Sequence, residues 1–343
     1  MKKIRWAIIG AGGIADRRAI PALLEDEQNQ IVAIMSRKPD VAEAIAKKYG
    51  VEKYFSDEEE MFKAVPCDAV YIGTPVFCHY RQAMLALKYG VNVFMEKPIA
   101  MNRQEAQELL DAFRAAGKQL TIGYMMGYHN LHRKAAQIIA EGGVGQISLV
   151  NMQFSCWYPE IPGAWRQEKA LGGGGCIMDL AVHCMELFES ITGDSIAKVT
   201  AMFTTRTFSY EVEDVATITF RSEGGIMGHI DVNFNVSDAV SARKMEIYGT
   251  AGSLIAEGTL GQLERGTLAH TYAPQGAYNA QQDGGKSTQT QVYEGEDGNI
   301  YTKQFCSFND LLLAGKCDYA NAERAVKIQK LCDQIYENND YLL

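Results

Sequence analysis

Asp179 and His183 stand four residues apart in a segment whose apolar residues, Leu180, Cys184, Leu187 and Ile191, fall at helical spacing. At that interval two side chains share a helix face and can meet. A carboxylate beside an imidazole can handle protons. The histidine exchanges a hydroxyl proton near neutrality, and the carboxylate orients the ring and stabilises its cation. Glu186 falls on the same side, so a solvated polar face is the bland alternative. Four glycines, Gly172 to Gly175, precede the pair and let a backbone or a ligand come close to the helix start. A third candidate is Lys97, in Glu96-Lys97-Pro98 at the end of a strand-like run. A lysine there can stabilise an alkoxide or share a proton, whereas Glu96-Lys97 can also be an ordinary exposed ion pair.

A second group of residues points to a phosphate-bearing ligand. Gly10-Ala11-Gly12-Gly13-Ile14-Ala15 fits G-x-G-x-x-G/A directly after the apolar run Ile4–Ile9 and opens a helix. Gly10 permits a tight turn, Gly12 a close backbone approach to a pyrophosphate, and Ala15 close packing of helix on sheet. A carboxylate at the end of the second strand would bind a ribose 2′-hydroxyl. This chain has Ser36-Arg37-Lys38 there instead, a hydroxyl and two cations that suit a 2′-phosphate unless they are merely solvated loop charges. NADP(H) is therefore favoured and NAD(H) remains possible. Thr74-Pro75 ends another strand, and His79 opens the next helix, where a lone histidine is more often a satisfied structural residue. Trp165-Arg166 lies in a Pro- and Gly-punctuated loop; an indole and a guanidinium suit a sugar face or a nicotinamide amide. Tyr124 follows a strand where the pattern changes, and Met125 and Met126 suit packing or pocket lining. His129-x-x-His132 has helical spacing but no third ligand, so no metal is expected.

These residues need elements to hold them. Through residue 123, strands at Ile4–Ile9, Ile31–Met35, Asp68–Gly73 and Val91–Met95 alternate with helical stretches, which implies βαβ units and a parallel sheet. Asn102 with Glu105 is a capping box for a helix that Gly117 ends. After residue 123 a helix at His132–Ala140 is followed by strands at Ile147–Phe154, Lys198–Thr207, Ala216–Arg221, Ile226–Asn235 and Lys244–Tyr248, interrupted by one helix near 176–191. That pattern predicts an N-terminal Rossmann domain over 1–123 and a C-terminal α+β domain over 124–343 with a mostly antiparallel sheet. Residues 273–300 read as a long loop or ragged hairpin, and 321–337 as a closing amphipathic helix.

Composition bounds the partners. The 343 residues are 47% hydrophobic with a formal charge of −9, which argues against nucleic acid or an anionic membrane surface as partner. No uninterrupted apolar run approaches the ~20 residues of a membrane span. Eight scattered cysteines without a C-x-x-C pair fit reduced thiols in a cytoplasm.

Taken together, Gly10–Ala15, Thr74-Pro75 with His79, Glu96-Lys97-Pro98, Gly172–Gly175 followed by Asp179-x-x-x-His183, and Gly249-Thr-Ala-Gly252 resemble the Gfo/Idh/MocA oxidoreductase family in the family's own order. Trp165-Arg166 to His183 and Val212-Glu213-Asp214 are most similar to its NADP-dependent 1,5-anhydro-D-fructose reductase branch; Tyr124-Met125-Met126-Gly127-Tyr128 departs from it. The resemblance implies a Rossmann domain with an open-faced sheet domain and a nicotinamide-dependent oxidoreductase acting on a sugar, sugar derivative or polyol. It implies Lys97, Asp179 and His183 as catalytic. It implies cofactor contacts at Gly10, Gly12, Gly13, Ile14, Ser36, Arg37, Lys38, Thr74, Pro75, His79, Glu96, Lys97, Trp165 and Arg166, and substrate contacts at Lys97, Tyr124, Trp165, Asp179 and His183. A homodimer or homotetramer is expected. Two other functions known in the family stand as alternatives: a dinucleotide-sensing regulator without catalysis, and an NAD-dependent glycoside hydrolase.

Overall fold

The computed structural model describes residues 3–273, 276, 278, 280, 288–295 and 298–338. The chain divides into two compact units. The first comprises 1–124, 168–173 and 301–333, and the second 125–167, 174–300 and 334–343.

Six short runs, nearly all apolar, build the sheet of the first unit: β1 (Ile4–Ile9), β2 (Asn29–Met35), β3 (Tyr54–Phe55), β4 (Ala69–Ile72), β5 (Asn92–Glu96) and β6 (Leu120–Gly123). Their order is β3-β2-β1-β4-β5-β6, and every pairing is parallel. Strands covered on both faces read as continuous apolar runs, and all four residues of β4 and of β6 are buried. Asn102 caps the helix Arg103–Ala116 by accepting the Glu105 N–H at 2.9 Å, and Gly117 ends it in the left-handed conformation that a side chain disfavours.

The division at 123/124 read from the sequence left 301–333 in the second domain, whereas in the structure this segment clusters with the first. The cause is aromatic burial. On the helix Ile300–Leu313, Phe305 lies 5.7 Å from the Trp6 ring and 4.6 Å from that of Phe94, and Phe308 lies 5.1 Å from Trp6. Burying two phenylalanines contributes roughly 3–6 kcal/mol before entropy is counted, more than sequence proximity can oppose. Asn309 adds a 2.9 Å bond to the Asn29 side chain.

The second unit holds an eight-stranded sheet: β7 (Ile147–Ser155), β8 (Ile196–Thr204), β9 (Val215–Ser222), β10 (Met227–Asn233), β11 (Lys244–Gly249), β12 (Gly252–Glu257), β13 (Thr267–Tyr272) and β14 (Gln289–Glu294). The order is β14-β13-β12-β11-β7-β10-β9-β8, with β7 and β10 parallel and the other pairs antiparallel. One face is buried, through residues such as Phe203, Ile218, Ile230, Met152, Ile247 and Leu254. The register puts Met202, Thr217, Asp231, Gln153 and Lys244 on the other face, which is open. Phe188, on the helix Val182–Thr192, meets Phe220 of the buried face at 4.7 Å.

Two sequence-based strands end earlier than expected. β8 stops at Thr204 rather than Thr207 because Asp214 takes the N–H groups of Arg206, Thr207 and Phe208 at 2.8–3.0 Å, drawing that backbone out of the ladder. β10 stops at Asn233 rather than Asn235. Of the polar 273–300 stretch, β14 pairs with β13 as a hairpin, while 274, 275, 277, 279, 281–287 and 296–297 lie outside the described residues. The helical stretch Lys169–Thr192 averages apolar enough over 18 residues to match a membrane span by composition. With 83% of that window buried, it serves as core.

Candidate active site

In a parallel sheet all strands end at one edge, and ligands bind beyond the carboxyl ends where the strand order reverses. That reversal falls between β1 and β4. Gly10 follows β1 with φ +82°, and a Cβ there would sit 2.7 Å from the Thr74 side chain and 2.8 Å from its backbone nitrogen. Glycine is therefore required twice over, by conformation and by space. A Cβ on Gly12 or Gly13 would meet nothing within 4 Å, so both leave backbone open to a ligand. Ile14 and buried Ala15 start a π-helical turn that continues as the helix Ile20–Leu24. This cradle fits the pyrophosphate of a dinucleotide.

Ser36 follows β2, and its Oγ accepts the Lys38 N–H at 3.3 Å. Arg37 and Lys38 are exposed, and no carboxylate stands between 36 and 38. Thr74 and Pro75 follow β4, with the Thr74 hydroxyl donating to Gln82 at 2.6 Å. His79 is 1% exposed, its ring nitrogens 2.9 Å from the carbonyls of Thr74 and Pro98. It ties the loop after β4 to the loop after β5, so its geometry is that of a support beneath the site. Glu96 ends β5 and accepts from the Tyr71 phenol at 2.8 Å; burial together with that carboxylate pushes the Tyr71 phenol well up. Lys97 comes next, joined to Pro98 by a cis peptide. Tyr124, expected to line a substrate site in the second domain, ends the first unit and is 2% exposed. Met125 and Met126 are also buried.

In the second unit the alternative of a solvated polar face does not hold. The helix Val182–Thr192 is buried on all sides, with His183 and Glu186 each 4% exposed. The His183 ring packs edge-on toward Phe154 of β7 at 6.4 Å. Asp179 sits one turn earlier, in a π-helical turn, Ile177–Ala181, where an inserted residue shifts side-chain directions and often marks functional sites. Its Oδ1 accepts from the Arg166 guanidinium at 3.2 Å, a partner that spacing could not reveal. That guanidinium lies 4.2 Å from the Trp165 ring centre and beside the Tyr158 phenol. Burial alone would lower the Arg166 pKa, but Asp179 and Tyr158 outweigh it and hold the charge. The sequence reading gave Trp165-Arg166 to a ligand; in the structure Arg166 and Asp179 form an ion pair beside His183's helix.

Sequence reasoning missed Tyr158 as a candidate and gave Glu213 no role beyond the family resemblance. Glu213 is fully buried, and the two adjacent acids at 213–214 in an apolar setting were the available signal. His129 and His132 are structural. His129 caps the helix Asn130–Ala140, and His132 bonds the Met126 carbonyl and the Thr259 hydroxyl, burial driving its pKa down to about 3. Among the described residues no group of three or more potential metal ligands occurs, and none of the eight cysteines forms a disulfide.

Known proteins fit this layout. A family model described as an oxidoreductase family with NAD-binding Rossmann fold matches residues 4–124, and the GFO/IDH/MocA C-terminal domain matches 132–255. The chain is 30% identical to 1,5-anhydro-D-fructose reductase of Ensifer adhaerens over 77% of its own length and 79% of that enzyme's. Its fold is similar to that of a 3-ketoreductase from Actinomadura kijaniata in complex with NADP and TDP-benzene, with a TM-score of 0.83, 21% identity and 98% of each chain covered. It is also similar to levoglucosan dehydrogenase in complex with NADH and levoglucosan, with a TM-score of 0.84, 19% identity, and 98% and 97% covered. The chain belongs to the Gfo/Idh/MocA family and is an NAD(P)-dependent oxidoreductase of that sugar-acting group.

Proposed function

We propose that the protein is an NADP(H)-dependent oxidoreductase that interconverts a carbonyl and a carbinol on a sugar, sugar derivative or polyol. The observation that supports this best is the half-buried Asp179–Arg166 pair one turn before a buried His183. A histidine withdrawn from water, next to a carboxylate whose charge is partly balanced, can pass a proton to a substrate oxygen without exchanging it freely with solvent. Lys97 supplies a cation at the carboxyl edge of the first sheet to stabilise the developing alkoxide. Gly10, Gly12, Gly13, Ile14, Thr74, Pro75 and Glu96 would hold the dinucleotide, which supplies or accepts the hydride when bound. Ser36, Arg37 and Lys38 favour a 2′-phosphate, since a carboxylate for a 2′-hydroxyl is missing from that strand end. Eight scattered cysteines, none in a disulfide, support a reducing, cytoplasmic setting. The open sheet face, with Met202 67% and Met227 50% exposed, supports self-association into a homodimer or homotetramer.

A panel of keto sugars and polyols, followed by nicotinamide absorbance with NADPH and with NADH, tests the reading. Turnover with NADPH in preference to NADH is expected. Tight dinucleotide binding with no hydride transfer to any substrate would instead mark a sensor. Release of an aryl group from a glycoside without net NADH would mark a hydrolase.

A further inference from the structure

The segment that carries Asp179 and His183 begins at Gly175, and its first free N–H groups all end on one residue. Glu213 accepts the Gly175 N–H at 2.9 Å and the Ile177 N–H at 3.0 Å through Oε1, and the Cys176 N–H at 3.1 Å through its backbone carbonyl. Orphan donors at a helix start must be met, and a side chain that meets them fixes where the helix begins. Tyr336 donates to the same Oε1 at 2.8 Å, so the carboxyl oxygen is held from a third direction. The glycine run has a definite use here. A Cβ on Gly175 would collide with the Glu213 carbonyl, and one on Gly174 with the Tyr336 hydroxyl. The glycines thus admit protein groups, Glu213 and Tyr336, to the helix start.

We propose that Glu213 is a positioning residue for Asp179 and His183, setting the register and rotation of their helix through its N-terminal turn. Asp179 lies only four residues beyond Gly175, and its own N–H bonds the Gly175 carbonyl at 3.0 Å. A shift at Gly175 therefore passes directly into the proton-handling pair. Glu213 itself touches neither substrate nor cofactor in this scheme. Its Oε1 accepts three donors, a role that an amide oxygen at the same position also fills, so an amide should replace it.

The inference rests on Asp179 and His183 being catalytic, and the test separates the two ideas. Four variants are compared with wild type for kcat, for its pH profile, for KM of NADPH and for helical content: Glu213→Gln, Glu213→Ala, Glu213→Asp and His183→Ala. The proposal expects Glu213→Gln to keep kcat within about threefold. Glu213→Ala should lose kcat on the order of 100-fold at near-normal NADPH KM and altered pH profile, since a displacement of ~1 Å costs about that much. If Glu213→Ala does not fold, the shorter Glu213→Asp should show the same loss while Glu213→Gln does not. Normal kcat and pH profile in the Ala or Asp variant, with only a lower melting temperature, would overturn the positioning role. Normal turnover in His183→Ala would instead overturn the catalytic reading beneath it.

Discussion

The two units build their chemistry in opposite ways. In the first, the candidate residues sit in loops directly after strands, at Gly10, Ser36, Thr74 and Lys97, and a parallel sheet brings those loops to one edge. In the second, Asp179 and His183 sit on a buried helix whose placement depends on Arg166, Glu213 and Tyr336. The first arrangement is local in sequence, with topology supplying the assembly. The second is nonlocal, since Glu213 lies 38 residues from the glycine it caps. A substitution in the first should act on one ligand contact, whereas one in the second should act through the helix.

That contrast can be broken at its strongest point by Gly10→Ala. A Cβ at φ +82°, crowded against Thr74, is expected to cost on the order of 1–3 kcal/mol of strain and to weaken dinucleotide binding more than 10-fold. Calorimetric titration with NADPH measures it; unchanged affinity would remove Gly10 from the cradle. Arg37→Ala comes next. Loss of one charge-assisted pair with a 2′-phosphate should weaken NADPH binding about 10-fold and leave NADH nearly unchanged. Equal effects on both dinucleotides would make Arg37 an ordinary loop cation.

A different effect concerns stability in the second unit. Burial lowers the His132 pKa from 6.5 to about 3, so the folded state resists a proton that the unfolded chain accepts. The stability it contributes is intact above pH 6.5 and is lost as pH falls from 6.5 toward 3, by at most about 1.4 kcal/mol per pH unit. His132→Gln should flatten that acid slope in denaturant titrations. An unchanged slope would mean that other groups dominate acid unfolding.

This contrast also explains what could be read beforehand. The Rossmann domain was legible because its determinants are contiguous: an apolar strand, a glycine turn, a capped helix. The open-faced sheet was legible in class, yet β12 and β13 were not read as strands and β14 only within a long loop or ragged hairpin, for their residues alternate weakly. The return of 301–333 to the first unit was hidden because Phe305 and Phe308 meet Trp6 across some 300 residues of chain. In the site, residue types at fixed spacing announced Asp179 and His183. Their solvated-face alternative failed only when burial became visible, with His183 at 4% exposure. Neither Arg166 as the partner of Asp179 nor Glu213 as the cap of the helix could be deduced from spacing, because each is set by how separate segments pack.

The central claim is a division of labour: the first unit binds the dinucleotide, and the second moves the proton. Single-turnover hydride transfer from NADPH by His183→Ala, set beside NADPH titration of the same variant, tests it most directly. The account predicts an NADPH affinity within about threefold of wild type and a transfer rate lower by about 10²–10⁴-fold. A variant that transfers hydride at the wild-type rate would contradict it.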